Sequence, residues 1–159
     1  MSTKISAIYD DLHEVIQDLL PEHKELINPY VPEDSDNLHL EKGWGITILE
    51  GSNGRREIPK LTMNRNFELL LTRKIFGADK RSESAMNKRK AGEKELFEDQ
   101  IIIAKHMQSN TYLKSVGFTN ASRVMYESDD GLNFLRNGDT GILILRSIIA
   151  VEYDEALDI

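Results

Sequence analysis

Four histidines, His13, His23, His39 and His106, are the first residues to weigh, because imidazole can act as general base or metal ligand near neutral pH. They are scattered, and no pair has the H-x-x-x-H spacing that would bring two ring nitrogens to one metal. His13 and His106 fall in segments of helical periodicity, where a surface or boundary histidine is the simpler reading. Acidic groupings are more frequent, at Asp10-Asp11, at Asp129-Asp130 and between Glu152 and Glu155. A two-metal nuclease needs such carboxylates converging beside a lysine. Glu68 with Lys74 on one strand is the arrangement that comes nearest, and the other acids read as solvated charge. The chain has no G-x-x-x-x-G-K-[ST] or G-x-G-x-x-G phosphate loop and no G-x-S-x-G elbow. Gly43-Trp44-Gly45 reads as a strand entry. The expectation is a protein that is no enzyme, with no catalytic residue, no metal and no cofactor.

The basic residues are grouped more clearly. Arg55, Arg56, Lys60 and Arg65 precede one strand, and Lys80, Arg81, Lys88, Arg89 and Lys90 follow it, in a chain whose net charge is −7. Such groups suit salt-sensitive contact with nucleic-acid phosphates or docking onto an acidic protein surface. Neither stretch carries the aromatic residues that stack bases, so a solvated loop is the plain alternative.

These residues need a scaffold, and 159 residues suit one domain spanning 1–159. An apolar share of 40% with 30% charged residues points to a globular chain rather than a disordered one. The lack of cysteine removes disulfides, thiolate zinc sites and cysteine nucleophiles, and fits a reducing compartment. The apolar runs are too short for a signal peptide or a membrane span.

Ile5, Ile8, Tyr9, Leu12, Val15, Ile16, Leu19 and Leu20 recur at helical spacing, so a helix is expected from about Ser2 to Leu20, stopped by Pro21. The Pro- and Asp-rich stretch 28–37 reads as an extended connection. Trp44 to Glu50 alternates like a strand and leads into a turn at Gly51-Ser52-Asn53-Gly54; Asn66 to Phe76 is its antiparallel partner. Residues 77–92 lack an apolar period and read as a flexible basic loop. A second helix is expected from about Glu93 to Ser109. Then come a strand over 122–127, a turn at Ser128-Asp129-Asp130-Gly131, a loop at 137–140, a long strand from Gly141 to about Tyr153 and a frayed tail over 154–159. The fold class is α+β in the order α-β-β-α-β-β, with a mainly antiparallel four-stranded sheet and two helices on one face.

The last strand carries the strongest functional hint. Ile142, Ile144, Ile148 and Ala150 share one parity, and Leu143, Leu145, Ile149 and Val151 the other, so both of its faces are apolar. At about 3.3 Å per residue it would span close to 40 Å, unless a bulge near Arg146-Ser147 divides it. Two helices cover one side of a four-stranded sheet, so the other side needs a lid from a neighbouring subunit. Ile142, Ile144, Ile148, Leu143, Leu145, Phe67 and Leu69 are the expected subunit or tube interface.

The same elements carry a resemblance. The amino-terminal amphipathic helix, the strand Trp44 to Glu50 with its hairpin, Phe67-Glu68-Leu69-Leu70-Leu71, the helix Lys94 to Gln108, Arg123 to Leu132 and the closing strand Gly141 to Tyr153, with its terminal aromatic, resemble the tail terminator proteins of long-tailed bacteriophages. The similarity covers nearly the whole chain, although the loop 77–92 is larger than the family's. It implies a structural virion protein that caps the tail tube, stops its polymerisation and forms the joint to the head. It implies a homo-oligomer, a hexameric ring, with a tail tube protein and a head-completion or neck protein as partners, assembled in the host cytoplasm and residing in the virion. Arg55, Arg56, Lys80, Arg81, Lys88, Arg89 and Lys90 would then face DNA in the channel or a partner protein, with no membrane involved. A neck connector of the same fold and a small metal-dependent nuclease are the alternatives.

Overall fold

The computed structural model of the protein describes residues 3–34, 37, 40–57, 60–76, 83–112, 118–137 and 140–156. Its architecture is α+β. Helix α1 spans Lys4–Leu19 and helix α2 spans Glu83–Tyr112, with strands β1 (Lys24–Glu25), β2 (Lys42–Glu57), β3 (Lys60–Phe76), β4 (Arg123–Asn137) and β5 (Thr140–Ala156). The strands form one sheet in the order β1-β2-β3-β5-β4. Four of them are antiparallel neighbours, as expected; the two-residue β1 adds a fifth strand, parallel to β2, and makes the sheet mixed.

Helix α1 begins where Thr3 caps it, its hydroxyl accepting from Ser6 N at 3.2 Å. It ends at Leu19, ahead of Pro21, which cannot continue the helical hydrogen bonding. Ile8, Leu12, Val15 and Ile16 form its buried stripe.

Helix α2 is much longer than its apolar period suggests, and residues 83–92 belong to it rather than to a loop; residues 77–82 of the expected loop, Lys80 and Arg81 among them, lie outside the described residues. Ala, Met, Lys, Arg and Glu dominate its first turns and favour a helix without any burial. The helix first meets the sheet at Gly92, where a Cβ would come within 3.1 Å of both Ile75 and Leu143 side chains, so the missing side chain is what lets it approach. Both helices pack on the same side of the sheet, as expected, over Trp44, Ile46, Phe67, Leu69, Leu71, Leu143, Leu145, Ile149 and Val151.

The two stretches read as turns within hairpins are strand. In β2 the pairing steps from Ile48↔Phe67 to Gly51↔Arg65 and from Asn53↔Met63 to Arg56↔Leu61, so β2 holds one extra residue at each step. Gly51 to Gly54 therefore serves two bulges. In β4 the same happens between Tyr126 and Ser128 and between Asp129 and Leu132, and Gly131 takes the left-handed φ of 82° that favours glycine. The bulge considered for β5 at Arg146-Ser147 lies instead on the strand opposite it. β5 pairs without interruption along the 17 residues of β3, and residues 154–156 of the expected tail are part of that ladder.

Candidate assembly surfaces

The residues expected to form an open interface sit inside the protein. Phe67, Leu69, Leu143 and Leu145 belong to the core under the helices, and Ile142 and Ile144 are buried on the opposite side of the sheet. Only Ile148 keeps partial exposure. The premise of an uncovered apolar sheet is thus corrected by two features of that opposite side.

One is a strap. The connection between β1 and β2 folds back over the sheet, and Leu26 and Leu40 pack on Leu70, Ile142 and Ile144. Asn37 holds the strap in shape: its Oδ1 accepts from Ile27 N at 2.8 Å and Asn28 N at 3.2 Å, and its amide donates to the carbonyls of Asn28 and Val31 at 2.9 and 3.0 Å. The other feature is polarity. Arg146 donates to Glu68 at 2.9 Å, and Thr47 is buried beside them. Asn64, Asn66, Arg123, Glu127 and Glu152 line a hollow further along, together with Met125, Ala150 and Val151.

Glu68 is therefore neutralised by Arg146. Lys74, six residues along the same strand, stands about 20 Å away at the usual strand rise. The pair does not converge as the nuclease reading requires. Among the described residues no three His, Cys, Asp or Glu side chains come together in a way that could hold a metal ion.

The basic residues separate as well. Lys88, Arg89 and Lys90 lie on the first turns of α2, beyond the Phe76 end of β3. Arg56 pairs with Leu61 near the other end of that strand. Roughly 50 Å of strand lies between the two groups, so they do not form one patch. Arg89 pairs with Glu93 at 2.6 Å, whereas Lys88 and Lys90 make no ion pair with any described residue.

A buried polar cluster joins the elements that periodicity alone left unconnected. Arg73 of β3 donates to Asp99 and, at 2.9 Å, to Glu95, both on α2, and His23 Nε2 lies 2.9 Å from the same Asp99 oxygen. Burial pushes the Asp99 carboxyl up, but the His23 hydrogen bond and the Arg73 charge together outweigh it and hold the group below the usual carboxylate range. Further along α2, Gln100 donates to the Tyr126 hydroxyl at 2.6 Å and to Asp129 at 2.9 Å, tying the helix to bulged β4. No sequence spacing marks either cluster, since His23 and Asp99 are 76 residues apart. His13 is a boundary residue as expected, stacked 4.2 Å from Tyr9 and 3.3 Å from Glu25.

Among the described residues, apolar side chains reach solvent on two surfaces, besides the separate Ile27, Val31, Ile102 and Phe134. The first lies at the free edge of β2. Ile5 and Tyr9 of α1, Ile48 of β2 and Phe67 of β3 line a groove of about 540 Å³, with Asp10 on its rim. Ile48 is 51% exposed and Tyr30 64%, and the Tyr30 hydroxyl accepts from Ile48 N at 3.2 Å, closing one donor of the strand edge. Arg65 also lines the groove, but its guanidinium is engaged with the Leu49 carbonyl at 2.9 Å. Burial raises the Tyr9 hydroxyl pKa, and Tyr30, Glu25 and Asp10 raise it further.

The second surface is the outer side of α2. At about 100° per residue, Gly92, Leu96, Asp99, Ile103 and Met107 share the buried side, while Met86, Lys90, Lys94, Phe97 and Ile101 share the opposite one. Phe97 is 50% and Ile101 51% exposed. The helix has two apolar stripes, and the sheet covers one of them. No helix among the described residues is long and apolar enough to cross a membrane. Compared with known proteins, the chain matches no family model and no curated relative.

Proposed function

We propose that the protein is an assembly subunit of the tail-terminator type, a structural virion component rather than an enzyme. A ring of identical copies, hexameric in this reading, caps the tail tube, ends its growth and presents the joint to a head-completion or neck protein. The reading starts from the resemblance in the order of elements. The observation that carries the reading is the pair of exposed apolar surfaces, one at the β2 edge and one along α2, because apolar patches of this kind on a small globular chain mark contact with other proteins. This support differs from a bare sheet face, since the chain closes that face itself. In the ring, Lys88, Arg89 and Lys90 reach outward on the projecting end of α2, toward a partner subunit or DNA phosphates.

Deleting the gene tests the proposal. Tails of uncontrolled length, or heads without tails, are the expected outcome by electron microscopy; normal virions would overturn it.

A further inference from the structure

The two exposed apolar surfaces differ in charge. The α2 stripe carries Met86, Phe97 and Ile101 with Lys90 and Lys94, all five exposed, and is flanked by Glu93, which pairs with Arg89, and by Glu98. The groove at the β2 edge is lined by Asp10 and by one cation, Arg65, with Glu14 one turn on along the exposed side of α1 and Glu25 beside Tyr9, so acids outnumber it three to one. Asp10, Glu14 and Asp18 follow one another at four-residue spacing, so like charges repel along the helix. One surface is apolar and basic, the other apolar and acidic.

They also occupy different parts of the molecule. The groove opens at β2, toward the β1 end of the sheet, and α2 packs across β3 and the far edge strand β4. One copy's α2 stripe does not fill its own groove, since Phe97, Ile101 and Ile48 all stay about half exposed. Complementary patches at different places on one chain make a heterologous, head-to-tail contact, the kind that closes into rings.

We infer that the outer stripe of α2 docks in the α1–β2 groove of a second copy of this chain, with Phe97 and Ile101 against Ile5, Tyr9 and Ile48, and Lys90 and Lys94 against Asp10 and Glu14. The inference deepens the ring reading by naming the joint between neighbours, and it rests on that reading for the closure of the ring. Opposed charge fixes the register and speeds encounter, and the half-exposed apolar side chains lose water on contact.

The chain contains no cysteine, so single introduced thiols report contact cleanly. Full-length Ile48→Cys protein and size-tagged Ile101→Cys protein are mixed under mild oxidation. The expected result is a mixed disulfide dimer formed at least about tenfold faster than with Arg136→Cys, an exposed control position on β4, in place of Ile101→Cys. Adding Lys90→Glu and Lys94→Glu to the Ile101→Cys protein should bring the rate down to the control. Adding Asp10→Lys and Glu14→Lys to its Ile48→Cys partner should restore it, which a misfolded variant would not do. Cross-linking no faster than the control, or indifferent to both charge reversals, would overturn the inference. Association of the wild-type chain without this cross-link would also reject the joint while leaving a ring built by other surfaces. The cross-link in a protein whose deletion leaves virions normal would keep the joint and reject the tail role.

Discussion

The two sides of the sheet are closed by different means. Under the helices, Phe67, Leu69, Leu71, Leu143, Leu145, Ile149 and Val151 meet side chains from α1 and α2 in one continuous core. On the other side Leu26 and Leu40 of an irregular strap pack on Leu70, Ile142 and Ile144, and the remaining surface mixes Glu68, Arg146 and the asparagines with half-buried Met125, Ile148 and Ala150. The difference teaches that a strand apolar on both faces, such as β5, does not imply an open interface. A short loop pinned by one asparagine is enough to close the second face where it is apolar.

A large effect is expected where the helix-covered side holds charge. Arg73→Ala leaves the buried Asp99 with His23 alone and should cost about 3 kcal/mol in urea unfolding. The same cluster sets an acid limit. Asp99 has its folded pKa below the unfolded value, so between the two the unfolded state binds more protons. Its contribution is complete above the unfolded pKa of about 3.9 and is lost as pH falls through the lower folded value. Asp99→Asn should flatten that acid decline, and an unchanged pH profile of Tm would contradict the assignment.

A direct comparison of the two sides comes next. Leu69 and Leu70 are neighbours, both fully buried, one facing the helices and the other the strap. Leu69→Ala should cost about 3–5 kcal/mol and Leu70→Ala about 2–3, because a loop can settle into a cavity more readily than two helices can. Equal losses in denaturant titrations would show the strap to be as rigid as the core. Gly45→Ala tests the strap alone: its Cβ would come 2.6 Å from Pro29 Cβ and 3.2 Å from Leu26 Cδ1. A loss of about 1–3 kcal/mol is expected, with faster amide exchange at Ile27 and Asn28, the donors to Asn37. The smallest effect belongs to the polar part of the second side, where Glu68→Gln weakens a partly exposed ion pair by about 1 kcal/mol or less. A larger loss in the same titration would mean that this pair is part of the core.

Much of the fold is legible in the residues. The three- and four-residue spacing of Ile8, Leu12, Val15 and Ile16 locates α1, and the alternation around Trp44, Phe67 and Ile144 locates the strands. Glycine- and aspartate-rich stretches suit turns and bulges alike. Pairing with the neighbouring strand decides between the two, as Asn53 with Met63 and Asp129 with Ser147 show, and local composition does not report that pairing. The first turns of α2 show no apolar period, because most of their residues before Gly92 are exposed. The His23–Asp99–Arg73 cluster had no local sign at all.

By itself, then, the order of residues determined which segments become helix and strand, since spacing and backbone preference act within a few residues. It also determined that the chain carries separate acidic and basic segments. Which apolar residues remain exposed was decided only in the tertiary structure. Ile142 and Ile144 disappear beneath Leu26 and Leu40, while Phe97 and Ile101 stay in solvent, because burial depends on what the rest of the chain lays across a side chain and not on the side chain's own hydrophobicity.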